Sequence, residues 1–92
     1  MTDGPMWMDT QQARGHAGKI NGGVATVRGL IEEITKMLAN TYWEGQDKKR
    51  FLADWNGQLR PQAAQVLQAM EDSAAELIRR ADEQDALSQR SH

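Results

Sequence analysis

The side chains that most often carry catalysis or bind metal are few in this sequence and are scattered. The two histidines, His16 and His92, are far apart along the chain, and there is no cysteine. A zinc site needs three or four such ligands at short spacings, so the sequence predicts no metal site and no cofactor. None of the serines, Ser73, Ser88 and Ser91, has a Gly-x-Ser-x-Gly context. We therefore predict a protein that is not an enzyme.

The amino-acid composition limits further which class of protein this chain can be. The 92 residues, 39% hydrophobic and 26% charged, fit one small globular or coiled-coil domain. A net charge of -2 lacks the basic excess with which proteins neutralise phosphates, so no nucleic-acid partner is predicted. No window approaches 18 apolar residues, which predicts that the protein is not integral to a membrane. The first nine residues lack the cationic and apolar parts of a cleavable signal peptide.

A first helix is predicted over about residues 9–40. Its apolar residues recur every three or four positions, as in a helical seam: Ile20, Val24, Val27, Ile31, Ile34 and Leu38. Asp9 is the expected N-cap, with its carboxylate accepting the Gln12 N–H. Glycines are frequent in the first half of this helix. They indicate either weak helix propensity there or a surface that lets a partner helix approach closely.

A second helix is predicted over about residues 47–86, with Asp47 as N-cap and a flexible tail over 87–92. Its seam has steps of three or four residues: Phe51, Trp55, Leu59, Ala63, Val66, Met70, Ala74, Leu77 and Ala81. Pro61 interrupts this pattern, since it cannot donate a hydrogen bond to the Gly57 carbonyl. Either a kink near Pro61 or a third helix that begins there is expected.

The connection over about 41–46 is short, with Asn40 suited to a helix end and Gly45 to a left-handed turn position. So short a connection predicts an antiparallel two-helix hairpin, and hence an all-α fold. Leu30 and Met37 lie beside the first seam, and further apolar residues lie beside the second. We expect this surplus to be covered by dimerisation into a four-helix bundle, as a homodimer or as a heterodimer with a related hairpin. The residues predicted to form the core and dimer interface are Val27, Ile31, Ile34, Leu38, Phe51, Trp55, Leu59, Val66, Met70 and Leu77.

The tripeptide Trp43-Glu44-Gly45 occupies the predicted turn, and a second Trp-x-Gly, at 55–57, falls inside a helix. The position of the first, together with the following pattern through Pro61, resembles the WXG family of early-secretory-antigen-like proteins associated with type VII (ESX) secretion. The resemblance covers roughly residues 9–88, with Trp43 and Gly45 as the matching motif residues. It implies a dimeric helical hairpin without enzymatic activity. It also implies export by a membrane-embedded ATPase, from the cytoplasm to the medium or the cell surface.

One departure from the family pattern leaves a second hypothesis open. Members with their own export signal carry Tyr-x-x-x-Asp/Glu after the second helix, whereas Tyr42, in the turn, is the only tyrosine. The alternative is a cytosolic helical-hairpin adaptor or chaperone-like subunit that is not exported. Trp43 has two interpretations as well: a plug for the end of the core, with its N–H near solvent, or part of a recognition surface.

Overall fold

The computed structural model describes residues 7–43 and 45–90, and every element in these ranges is helical. Helix α1 spans Thr10–Asn40, α2 spans Gly45–Asp54 and α3 spans Arg60–Arg90. A π turn over Trp55–Leu59 joins α2 to α3 without a break. The prediction of an all-α chain is confirmed over the described residues. The second helical segment begins two residues before the predicted start and continues to Arg90, so it includes part of the expected tail.

Residues 1–6, Glu44 and residues 91–92 lie outside the described part of the chain. The expectation about the N-terminal segment therefore falls largely on residues that are not described. The middle residue of the Trp-x-Gly motif falls outside as well.

Helix α1 begins at the predicted cap. The Asp9 carboxylate accepts the Gln12 N–H at 2.9 Å, and the Asp9 carbonyl accepts the Ala13 N–H at the same distance. A Cβ atom built on Gly15, Gly18 or Gly22 would meet no atom within 4 Å. These glycines are therefore not needed for a close approach between the described helices.

Of the two predictions for the start of α2, one is confirmed and the other is wrong. Gly45 has a φ of +71°, in the left-handed region predicted for it. Asp47 is not the N-cap, because α2 already begins at Gly45; Asp47 lies in the first helical turn, where the helix dipole favours a negative charge. Lys48 donates from Nζ to the carbonyls of Ala39 at 3.0 Å and Thr41 at 2.9 Å. Lys48 thus satisfies carbonyls at the end of α1.

Contacts between α1 and α3 hold the two long helices together, and their partners fall in reverse order along α3. Met8, just before α1, bonds Gln84, and Arg14 bonds Asp82 and Asp85. Further along α1, Arg28 pairs with Glu71 and Glu32 pairs with Arg60. The buried side chains between the helices are small or of moderate size: Ala13, Ala17, Val24, Leu67, Ala74 and Ala81. The result is a rod with extents of 70 × 23 × 18 Å.

The π turn shifts the phase of the helix around it. The Arg60 N–H donates to the Trp55 carbonyl, five residues earlier rather than four, so one extra residue is inserted. Helical conformation continues through Pro61, the residue that follows. Before the turn the half-buried side chains include Leu52 and Trp55, and after it the buried position falls on Leu67. Leu67 is 5% exposed, whereas Val66, on the predicted seam, is 61% exposed.

Candidate functional site

The contact between α1 and α3 has two flanks that differ in chemistry. On α1 the inward line passes through Ala17, Val24 and Ile31, which are seven residues apart. A residue four positions later is rotated about 40° to one side, and a residue three positions later about 60° to the other. Arg28 is therefore on one flank, and Val27 is on the opposite flank.

On α3 the inward line passes through Leu67, Ala74 and Ala81, which are also seven residues apart. Glu71 lies four positions after Leu67, and Met70 lies three positions after it. Since Arg28 pairs with Glu71, the plus-four sides of the two helices meet on one flank. The plus-three sides therefore share the other flank.

We call the first side the polar flank, defined by its interhelical ion-pair residues: Arg14, Arg28, Glu32, Arg60, Glu71, Asp82 and Asp85. We call the second side the apolar flank, defined by its exposed apolar residues: Val27, Leu30, Ile34, Met37, Leu59, Val66 and Met70. All seven apolar-flank residues lie in the half of the rod nearest the connection between α1 and α2.

Charges on the polar flank are matched within the chain. Arg28 donates from both terminal nitrogens to the two oxygens of Glu71, each at 2.8 Å. These hydrogen bonds hold the pKa of Glu71 below its ordinary value of 4.5. Hydrogen bonds from Arg14 and then from Thr10 lower the pKa of Asp85 in the same way. The polar flank is thus satisfied by intrachain partners.

A separate charged cluster lies on the outer surface of α3. Arg79 and Arg80 both donate to Glu76, and Arg79 also pairs with Glu83. The hydrogen bonds from Arg79 and then from Arg80 lower the pKa of Glu76 to about 2. The partners lie three or four residues apart on one helix, so this cluster joins no second element.

The residues predicted for the core and dimer interface divide between two environments in the single chain. Four are half-buried: Ile31, Leu38, Trp55 and Leu77. Six are exposed: Val27, Ile34, Phe51, Leu59, Val66 and Met70. Five of these six belong to the apolar flank, whereas Phe51 packs on Trp43 with ring centroids 5.3 Å apart.

The two tryptophans of the Trp-x-Gly tripeptides differ in their polar contacts. Trp55 donates from Nε1 to the Thr35 hydroxyl at 2.8 Å, and that hydroxyl donates to the Ile31 carbonyl at 2.7 Å. Trp43 is half-buried, and its Nε1 is buried without a hydrogen-bond partner. The expectation that the Trp43 N–H would stay near solvent is therefore wrong, because Nε1 is buried although the side chain as a whole is only half-buried. Trp55, not Trp43, connects the two helical segments by a side-chain hydrogen bond.

A cavity of about 380 Å³ opens on the polar flank beside the π turn. Its lining combines apolar side chains with charged and amide groups: Arg28, Ile31, Glu32, Asn56, Arg60, Pro61, Ala64 and Leu67. The spacing of the apolar residues, in steps of three or four, did not predict this cavity. The pair Gly57 and Pro61, four residues apart, marked only an irregularity in the helix.

Over residues 7–43 and 45–90, no cluster of three or more His, Asp or Glu side chains has the arrangement of a metal site. In the same ranges no helix combines the length and apolar character that crossing a membrane requires. The chain matches no protein-family model, no curated protein and no solved structure.

Proposed function

We propose that this protein is a non-enzymatic WXG-type helical hairpin that acts by pairing with a second hairpin. In this proposal it is a type VII secretion substrate or the dimer partner of one, and the secretion ATPase is a further partner. The observation that carries the pairing step is the apolar flank. The Trp43-Glu44-Gly45 sequence motif carries the link to secretion.

The apolar flank supports pairing because no residue in the described ranges 7–43 and 45–90 covers it. Val66 is 61% exposed and Met37 is 62% exposed, and both belong to a patch that extends over two helices. Large contiguous apolar patches on soluble proteins mark interaction sites. The helices of a hairpin can pack only along one line each, so a second hairpin on this flank would complete a four-helix bundle.

The small intrachain core supports the same conclusion. Four of the six buried apolar residues are alanines, which contribute little buried apolar area. A chain of this size buries a low fraction of its surface, and an elongated rod buries less than a sphere. Pairing would supply the additional buried area. A second copy is the simplest partner, and a related hairpin is the alternative.

Sedimentation velocity at micromolar concentration tests the pairing step. We expect the chain to associate, and Val66→Asp to abolish association because the carboxylate would be buried in the interface. The matched control is Gln65→Asp, which places the same charge at the adjacent exposed position. Equal association of the two variants would contradict the proposal, as would a wild-type chain that stays monomeric and cooperatively folded at micromolar concentration.

Export is tested separately, because pairing alone is shared with a non-exported adaptor. In the form of the proposal that is tested here, the chain is exported as the partner of a hairpin that carries Tyr-x-x-x-Asp/Glu after its second helix. In cells with a type VII system, we expect export to require co-expression of such a partner and to be reduced by Trp43→Ala. Retention in the cytoplasm with every partner hairpin supplied would favour the adaptor function.

A further inference from the structure

The π turn lies beside a cavity that takes no part in pairing on the apolar flank. Asn56, within the π turn, helps to line this cavity on the polar flank, as do Arg60 and Pro61, which follow the turn. A π turn costs helical hydrogen-bond geometry, and such turns are frequent at functional sites. The cavity is also on the opposite side of the rod from the apolar flank, so a paired hairpin would leave it open.

The lining of the cavity has two parts. Ile31, Pro61, Ala64 and Leu67 provide apolar surface. Arg28 and Glu32 on α1, with Asn56 and Arg60 from the second helical segment, provide charged and amide groups. A volume of about 380 Å³ lies within the usual range of small-molecule sites. The lining suits a ligand with an apolar body and one charged end.

The ion pair between Arg60 and Glu32 indicates the sign of that charge. The Arg60 side chain is 33% exposed, and its second terminal nitrogen donates to the Asn56 amide oxygen at 3.0 Å. The Glu32 side chain is 60% exposed and is held in this pair by Arg60. The guanidinium is therefore the fixed member, and the Glu32 carboxylate is the one that a competing anion can displace.

We propose that the cavity beside the π turn binds a small organic anion with an apolar body, whose carboxylate replaces Glu32 on the Arg60 guanidinium. The apolar body lies against Ile31, Ala64 and Leu67. Binding is a non-covalent exchange of one carboxylate for another. It leaves the bidentate Arg28–Glu71 pair in place, which keeps α1 and α3 joined at the same level.

Octanoate is the probe for this site, with octylamine as the matched cation. In a two-dimensional amide NMR titration of the full chain, octanoate should bind saturably and shift the amide signals of Ile31, Ala64 and Leu67. Glu32→Gln should tighten octanoate binding about two- to fivefold, because it removes the competing carboxylate. Glu33→Gln, the adjacent control, should leave the affinity unchanged.

Deletion of Gly57 is the most specific variant, since it removes the extra residue of the π turn. It should keep the helical circular dichroism signal and weaken octanoate binding at least tenfold. Ala64→Leu fills the same cavity at an exposed position and should give the same loss if the deletion variant fails to fold. Three results would overturn the proposal: octylamine binding as tightly as octanoate, shifts confined to the apolar flank, or wild-type affinity in both cavity-closing variants.

Discussion

The polar and apolar flanks are built on the same two helices with the same spacing, yet they differ in how completely the chain satisfies them. On the polar flank, each interhelical arginine reaches a carboxylate on the other long helix. On the apolar flank, seven large side chains remain exposed. The chain therefore pairs the charges of one side of the rod within itself and leaves large apolar side chains of the other side exposed, which is the arrangement that the proposed pairing requires.

The largest expected contrast lies between neighbouring residues on α3. Leu67→Ala should lower the free energy of unfolding by about 2–4 kcal/mol, because it removes a buried side chain between the helices. Val66→Ala should cost under about 0.5 kcal/mol at a protein concentration too low for association. Urea denaturation followed by circular dichroism measures both. Equal losses would mean that the two flanks are not separated at this level.

The Trp55 hydrogen bond should have a smaller effect. Trp55→Phe removes the donor to the Thr35 hydroxyl but retains an aromatic ring, so we expect a loss of about 1 kcal/mol. Trp7→Phe is the control, since Trp7 is 61% exposed. Thermal denaturation of the two variants makes the comparison. A Trp55 variant as stable as the control would show that the hydrogen bond contributes nothing.

The link between Lys48 and the end of α1 should contribute about 0.5 kcal/mol, as expected for a cation at exposed helix-terminal carbonyls. Lys48→Met keeps the aliphatic part of the side chain and removes the donor. Lys49→Met changes the adjacent exposed residue in the same way. Amide hydrogen exchange near Asn40 should accelerate only in the Lys48 variant, and acceleration in both would refute a specific contact.

The smallest effect is expected from the exposed ion pairs of the polar flank, and it depends on pH. The pKa of Glu71 in the folded chain is lowered, chiefly by hydrogen bonds from Arg28, so its stabilising contribution is present above pH 4.5 and is lost as the pH falls through the folded pKa. Arg28→Gln should therefore lower the melting temperature slightly at pH 7 and should reduce its decline between pH 5 and pH 2. Arg50→Gln, at an exposed position, should follow the wild-type profile. An unchanged profile in the Arg28 variant would contradict the assignment.

The sequence was sufficient for the parts of the fold that depend on local signals. Asp9 is the N-cap, α1 ends at Asn40, and Gly45 has the left-handed conformation expected of it. Each of these features follows from the chemistry of one or two residues and their immediate neighbours, so spacing and residue type were enough to locate them.

The buried line of the second segment was not predictable in the same way. The apolar residues Phe51, Trp55, Leu59 and Ala63 are separated by three consecutive steps of four, and each such step advances about 40° around an α-helix. The structure instead inserts a π turn at Trp55–Leu59 and buries Leu67. The spacing of apolar residues alone does not distinguish a regular α-helix, whose apolar residues rotate gradually around its axis, from a helix with one residue inserted as a π turn. The cavity beside the π turn could not be predicted from the sequence for the same reason.

Fluorescent labels at two adjacent positions test whether the apolar flank is the pairing surface. The chain has no cysteine, so Met37→Cys and Lys36→Cys can each be labelled with a solvent-sensitive fluorophore. Met37 belongs to the apolar flank, whereas Lys36 is exposed one position earlier, outside that flank. We expect a blue shift that grows with protein concentration for the label at position 37 and no shift for the label at position 36. The same response at both positions, or no dependence on concentration at position 37, would contradict it.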